Sequence, residues 1–304
     1  MITESQMVGC RCFTIENGNL SLTVSEFGAT ALSLKRDGRE MLLGFQSIRG
    51  YEQSGAYIGA IVGRWANRIG GAAFELNGRR FELCANEGKN CLHGGNDGKP
   101  WNKRLWKGQA ESEVRVSFTL LSPDGDNGFP GCVTATVSYS LEGSSLRIDY
   151  DAESDSDTYY APTNHSYFDL SGDGDCLKDM FQVNAETYLE IDEEKIPVAE
   201  KSVEGTRFDF RTERPVAEDY DHCFVLSGSP ACTLRDGGTT LEIFTDLPAL
   251  QVYTGSSLKG DFKTNQALAL EPEFYPDTPH HPEYPSALLR AGEHFHRYIV
   301  YKFT

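Results

Sequence analysis

Short segments in which apolar and polar residues alternate, each closed by a turn rich in glycine or asparagine, constrain this chain more than any other feature. From Cys12 to Phe27 the residues Phe, Ile, Leu, Val and Thr recur with a period of two, and the run breaks once, at Asn17-Gly18-Asn19. Asparagine and glycine tolerate the positive φ angles of a tight hairpin turn, so two strands are expected there. Leu32-Ser33-Leu34 and Met41-Leu42-Leu43 read as strands on either side of Arg36-Asp37-Gly38-Arg39-Glu40. Asn77-Gly78 separates Ala73-Phe74-Glu75-Leu76 from Arg80-Phe81-Glu82-Leu83, and Glu113 to Leu121, Val133 to Leu141 and Ser145 to Ala152 repeat the alternation. No window holds apolar residues at i, i+3, i+4 and i+7 over three turns. The chain is therefore predicted to be all-β, with sheets packed face to face or as a distorted sandwich.

All-β sandwiches and barrels run to about 200–250 residues as one domain. With 304 residues, 39% hydrophobic, a single domain over 1–304 is expected. No fixed-period repeat and no Pro- or Ser-rich linker divides the chain. The segment from Pro272 to Pro285 reads as an ordered loop, because the closing strand Tyr298 to Phe303 follows it. A formal net charge of −17 would repel nucleic acid and anionic membrane surfaces, and it disfavours phosphorylated substrates. The first residues lack the basic and apolar regions of a signal peptide and no run is long enough to span a bilayer, so a cytoplasmic protein is expected. The scattered cysteines Cys10, Cys12, Cys84, Cys91, Cys132, Cys176, Cys223 and Cys232 read as reduced thiols. Cys10 and Cys12 are placed on the first strand, and no CxxC spacing suggests zinc.

Five stretches hold residues able to carry chemistry. Pro162-Thr163-Asn164-His165-Ser166-Tyr167-Phe168-Asp169-Leu170 sets an imidazole at what reads as a strand end, where it is either a hydrogen-bonded structural residue or an acid or base working near neutral pH. Gly63-Arg64-Trp65-Ala66-Asn67-Arg68-Ile69 holds two guanidinium groups suited to ring and hydroxyl oxygens, a carboxylate or structural ion pairs. Leu92-His93-Gly94-Gly95 puts a second histidine before glycines that let the backbone approach a ligand closely, and by itself it also fits a structural histidine. Asp221 begins a strand, as a hydroxyl acceptor or a turn cap. Glu271 closes the apolar run Leu268-Ala269-Leu270, where a carboxylate is costly unless paired or functional. The loop Ser122 to Gly131 reads as structural, on its turn chemistry.

Taken together these stretches resemble the aldose 1-epimerase (galactose mutarotase) family over nearly the whole chain. The Gly-Arg-x-Ala-Asn-Arg-Ile run at Gly63, Leu-His-Gly-Gly at Leu92, Pro-Asp-Gly…Gly-x-Pro-Gly at Pro123, Thr-Asn-His-Ser-Tyr-Phe at Thr163, Tyr-Thr-Gly at Tyr253 and Leu-Glu…Pro-Asp at Leu270 occur in the family's order. The resemblance implies the family's large antiparallel β-sandwich, or supersandwich. It also implies His165 as the acid at the ring oxygen, Glu271 as the base at the anomeric hydroxyl, and Asn67, Arg68, His93, Asp221 and Gln251 as residues that orient the sugar. The substrate is then a small free monosaccharide, with no cofactor and no metal, no nucleic-acid or membrane partner, and a monomer or homodimer as the working state. Three departures bear on specificity: Asp169 stands where the family has Asn, Glu271-Pro272-Glu273 replaces a Glu-x-Gln, and the insertion around Trp101 leaves that ring available to stack on a pyranose face. Three rival readings of the same residues are a sugar-binding module without turnover, a glycoside hydrolase using Asp221 and Glu271, and a mutarotase for a sugar phosphate.

Overall fold

The computed structural model describes residues 1–7 and 9–304. Among these, the strands build three larger antiparallel sheets, of five, nine and six strands, joined by two-stranded ribbons. The five-stranded sheet opens with Ile2–Met7 paired to Cys10–Asn17, so Cys10 and Cys12 lie on the second strand rather than the first. The asparagine–glycine turns fall where expected, after Asn17 and at Asn77-Gly78, where both central residues are left-handed with φ of 52° and 72°. Met41-Leu42-Leu43 does not extend into a strand and makes only an isolated bridge from Leu42 to Phe168.

Alternation decides what each sheet buries. In the six-stranded sheet Leu250, Val252, Leu268, Leu270 and Phe224 point into the main core. There Phe168 meets Tyr301 of the nine-stranded sheet, with ring centroids 5.1 Å apart. Phe13 of the five-stranded sheet packs edge-on against Phe118 at 5.8 Å, on the same face of the nine-stranded sheet that carries Tyr301. The strand His294–Phe303 runs between Ser145–Ser154 and Thr239–Thr245, which ties the end of the chain into its middle. The expectation of packed antiparallel sheets holds.

The opposite face of the six-stranded sheet carries Asp221, Gln251, Glu271 and Glu273, each two residues from the next polar position or directly across a strand pair. Short ribbons cover that face: Ile61–Val62 with Thr163–Asn164, and Arg68–Ile69 with Cys91–Leu92. Hydrogen bonds fix them to the strand end and the loop beyond it. Thr163 Oγ1 donates to the Pro272 carbonyl (2.6 Å), and the Asp277 N–H donates to the Arg68 carbonyl (2.8 Å).

Arg64 is one of the structural arginines. Its buried guanidinium donates to the carbonyls of Ser122, Pro123, Pro130 and Gly131 and to the hydroxyls of Ser122 and Thr158. The turn-dense loop is thus held from within, as its composition suggested. Burial lowers the Arg64 pKa to about 10, so the group remains charged at neutral pH. Trp101 does not face a ligand. It is 1% exposed, packs on Trp106 and Tyr160, and lies so close to Gly63 that a Cβ there would sit 2.4 Å from its ring. The insertion therefore feeds the core. Replacing Arg64 by Met strands several buried acceptors at once and should cost at least about 3 kcal/mol. Urea denaturation checks this, and an unchanged midpoint would show that the carbonyls find other donors.

Candidate active site

The strand Leu268–Glu273 is buried along its whole length because its two faces have different neighbours. Leucines enter the core, and the alternate residues Ala269, Glu271 and Glu273 meet the covering ribbons. Register places Gln251 opposite Glu271 and Cys223 opposite Gln251. One step along, Asp221 is opposite Tyr253, and Gln251 Nε2 donates to Asp221 Oδ1 at 2.7 Å. The other oxygen of Asp221 receives Lys195, which stands at a left-handed position (φ 62°) in the hairpin between Ala185–Ile191 and Pro197–Ser202.

Asn67, Arg68 and His93 come from the facing ribbon. The His93 N–H donates to the Asn67 carbonyl (3.0 Å), and the Asn67 N–H donates to His93 Nδ1 (3.2 Å). The Asn67 side chain accepts from the Arg68 N–H (2.9 Å) and donates to Glu273 Oε1 (2.9 Å). Arg68 grips Glu87 with two parallel bonds of 2.6 and 2.9 Å, a planar match that only a guanidinium makes. The turn after His93 is tight for a backbone reason. Gly94 is left-handed, with φ of 79°, and a Cβ there would lie 2.2 Å from the Gly63 carbonyl oxygen. The close approach is to the Arg64 segment, not to a ligand.

His165 lies between two short strands that belong to different sheets, since Thr163–Asn164 pairs with Ile61–Val62 and Tyr167–Phe168 with Ala269 and Leu268. It occupies a crossing between sheets rather than the end of one strand. Its ring stacks between Tyr167 (5.0 Å) and Tyr57 (5.8 Å) and meets His93 edge-on at 5.4 Å. His165 Nε2 is 3.5 Å from Glu271 Oε1. Both groups are almost fully buried, and burial pushes each toward its neutral form. The His165 pKa falls to about 4. That of Glu271 rises well above the ordinary carboxyl value, first by desolvation and then by the nearby Glu273 and Asp221, with Arg68 opposing. Burial thus favours the uncharged arrangement of the pair, with a proton on Glu271 rather than on His165.

His93, His165 and Glu271 offer donor atoms within 4.8 Å of one another, a separation that invites a metal. The tautomer argues otherwise. His93 Nδ1 accepts the Asn67 N–H, so in the neutral ring Nε2 carries the hydrogen and is a donor without a free lone pair. Burial, with His165 and Arg68 nearby, keeps His93 well below its usual pKa and hence neutral. The trio is built to present hydrogen bonds.

All seven residues expected at the site, His165, Glu271, Asn67, Arg68, His93, Asp221 and Gln251, line one cavity of about 240 Å³. That is below the ~300–1,000 Å³ of drug-sized pockets and suits a small polar molecule. Arg64, Trp101 and Asp169 lie elsewhere. The Asp169 carboxylate accepts the Gly172 N–H in an exposed turn. Asp221 and Glu271, the two carboxyls a glycoside hydrolase would need, both line this cavity, and Gln251 and Lys195 hold the oxygens of Asp221. Lining residues not singled out from the sequence include Tyr57, Glu87, Tyr167, Lys195 and Tyr253. Tyr167 and Tyr253 sit inside motifs already marked, and alternation from His165 and Gln251 leads to them. The other three come from loops that carry no periodic signal.

Comparison with known proteins agrees with this geometry. The family model described as aldose 1-epimerase matches residues 11–302. The chain belongs to the aldose 1-epimerase family. It is 38% identical to the aldose 1-epimerase of Haemophilus influenzae over 95% of this chain and 94% of that one. It is 35% identical to the galactose mutarotase of Bos taurus over 96% and 93%. Among solved structures, an aldose epimerase homologue from C. elegans superposes with a TM-score of 0.93 at 29% identity, covering 97% of this chain and 99% of that one. Galactose 1-epimerase from Lactobacillus acidophilus gives 0.90 at 27%, covering 100% and 98%. These likenesses show the family's β-supersandwich. For the site itself, ¹⁵N NMR of the imidazoles at pH 7 is expected to show His93 as the neutral Nε2–H tautomer. A proton on Nδ1 would reopen the metal reading.

Proposed function

We propose that this chain is an aldose 1-epimerase that interconverts the α and β anomers of a free aldohexose such as glucose or galactose. His165 and Glu271 move the protons in this reading. The observation that carries it is the buried His165–Glu271 pair, 3.5 Å apart, in a pocket lined mostly by hydrogen-bonding side chains. The names of the similar proteins support it.

Opening a pyranose requires a proton to leave the anomeric hydroxyl while another reaches the ring oxygen. Glu271, as the carboxylate, takes the first, and His165, as the imidazolium, gives the second. The C1–O5 bond breaks and C1=O1 forms, leaving Glu271 protonated and His165 neutral. Those two protonation states are tautomers of one pair, and the resting tautomer matches the end of the ring-opening step. The desolvated site favours the neutral tautomer. Sugar hydroxyls beside Glu271 and His165 favour the charged one, since hydrogen bonds to an ionised group are about twice as strong. Rotation about C1–C2 and reversal of both transfers closes the ring on the other face. Each group contributes about 10²–10⁴-fold.

The remaining residues hold the sugar. Asp221 and Gln251 form a bonded acceptor–donor edge, His93 offers Nε2–H, and Arg68 and Asn67 present donors fixed by Glu87 and Glu273. Residues 1–304 act as one domain in this account, since the closing strand lies within the nine-stranded sheet. The free thiols fit a reducing compartment such as the cytoplasm.

Polarimetry on freshly dissolved α-glucose and α-galactose tests the proposal. The protein is expected to speed the approach to equilibrium over buffer, and no acceleration across a panel of aldoses would overturn it. Glu271→Gln and His165→Asn should each lower kcat by at least ~10²-fold with the fold intact. The pH profile gives a further check. Because the His165 pKa lies at about 4, the one-proton pair survives acidification well past the ordinary histidine range, so kcat/KM should hold from pH 7 to pH 5 and fall toward 4. A fall centred near 6.5 would mean that His165 titrates like an exposed histidine.

A further inference from the structure

Glu273 is a second buried carboxyl behind the site, two residues from Glu271 on the same face of the same strand and 1% exposed. Nothing in the proton transfers uses it. Its Oε1 accepts from Asn67 Nδ2 at 2.9 Å, and its Oε2 is buried without a partner. An ionised carboxylate left in that position would be strongly disfavoured. The groups facing it make matters worse for a charge. Asp221 and Cys223 lie on the strand Asp221–Leu226, and a charge on Glu273 would oppose ionisation of Glu271 beside it on the same strand. Arg68, the cation that acts on it among the described residues, is committed to Glu87. The strand Ala249–Tyr253 presents Ala249 and Gln251, neither of which titrates.

Asn67 is the joint through which Glu273 reaches the site. Its backbone N–H sets the His93 tautomer, its Oδ1 receives Arg68, and its side-chain amide is anchored on Glu273. We propose that Glu273 is a positioning residue that works as a neutral acid: it anchors Asn67, leaves Glu271 as the carboxyl free to ionise, and closes the working range on the alkaline side when it loses its proton. The inference rests on the epimerase reading of the site. Desolvation, opposed by Asn67 and Arg68, lifts the Glu273 pKa to about 8, which places that closure within reach of measurement.

Two substitutions separate anchoring from titration. Glu273→Gln keeps the acceptor for Asn67 and cannot ionise, so it should retain kcat/KM at pH 7 to within about threefold. After subtraction of the buffer rate, the wild-type decline as pH passes through about 8 should disappear in the Gln variant. Glu273→Leu removes the acceptor and should lower kcat/KM at pH 7 about tenfold, with Gln restoring what Leu loses. Superimposable profiles for wild type and Gln would overturn the proposal. So would a Gln variant that is largely inactive at pH 7, which would show that the carboxylate itself is required, or a Leu variant as active as Gln. A readout independent of turnover is the infrared difference spectrum of wild type minus Gln variant at pH 7 without sugar. A protonated-carboxyl band belonging to Glu273 is expected, and its absence overturns the neutral-acid assignment even if the protein does not epimerise sugars. Loss of catalysis in the wild type with that band present would instead count against the epimerase reading alone.

Discussion

The structure depends on a strand that is buried on both faces. Leu268–Glu273 has leucines on the face toward the core and carboxyls on the other, and neither face meets water. Removing a carboxylate from water costs several kcal/mol unless it is paired or neutralised. The six-stranded sheet therefore has to supply protons and hydrogen bonds as well as packing. The ribbons over it, Arg68–Ile69 with Cys91–Leu92 and Ile61–Val62 with Thr163–Asn164, bring Asn67 and His165 to those carboxyls. Arg64, tying down the loop from Ser122 to Gly131, anchors the segment that leads into the first of these ribbons.

Period-two alternation was legible in the sequence wherever one face of a strand meets solvent or a uniform core. Val133–Glu142 and Ser145–Ser154 came through within a residue or two for that reason. The short ribbons did not. Two paired residues are too few to show a period, so the stretch around His165 reads as one strand although it passes from one sheet to another. Ile2–Met7, with polar residues at most positions, gave no pattern to read. Trp101 misled because an aromatic ring in an insertion has the same composition whether it meets a sugar or Gly63.

The seven site residues were legible through resemblance more than through local chemistry. A buried carboxyl at the end of Leu268-Ala269-Leu270 was anomalous by itself, and the anomaly pointed to function. His93 offered no such signal, since a histidine before two glycines fits many turns. What selects it is a bond from the backbone of Asn67, a residue 26 positions away. Lys195 and Glu87 were invisible for a related reason. They complete charges, on Asp221 and Arg68, whose need for partners appears only once the strands are placed.

The backbone of the site also explains its rigidity. Tyr57, Asn67 and His93 all adopt left-handed conformations, with φ of 55°, 60° and 49°. For a residue with a side chain that region costs about 1–3 kcal/mol unless the surroundings hold it, with asparagine at the low end. Here the surroundings are the reciprocal bonds between Asn67 and His93, the Glu273 anchor and the ring of Tyr57, which stacks on His165 and meets His93 edge-on. A donor fixed before the sugar arrives does not have to be ordered during the reaction, which is where preorganised polar groups lower a barrier. In a site whose chemistry moves protons through a small polar ligand, that fixed frame lets a pair 3.5 Å apart exchange roles without rearranging the groups around it.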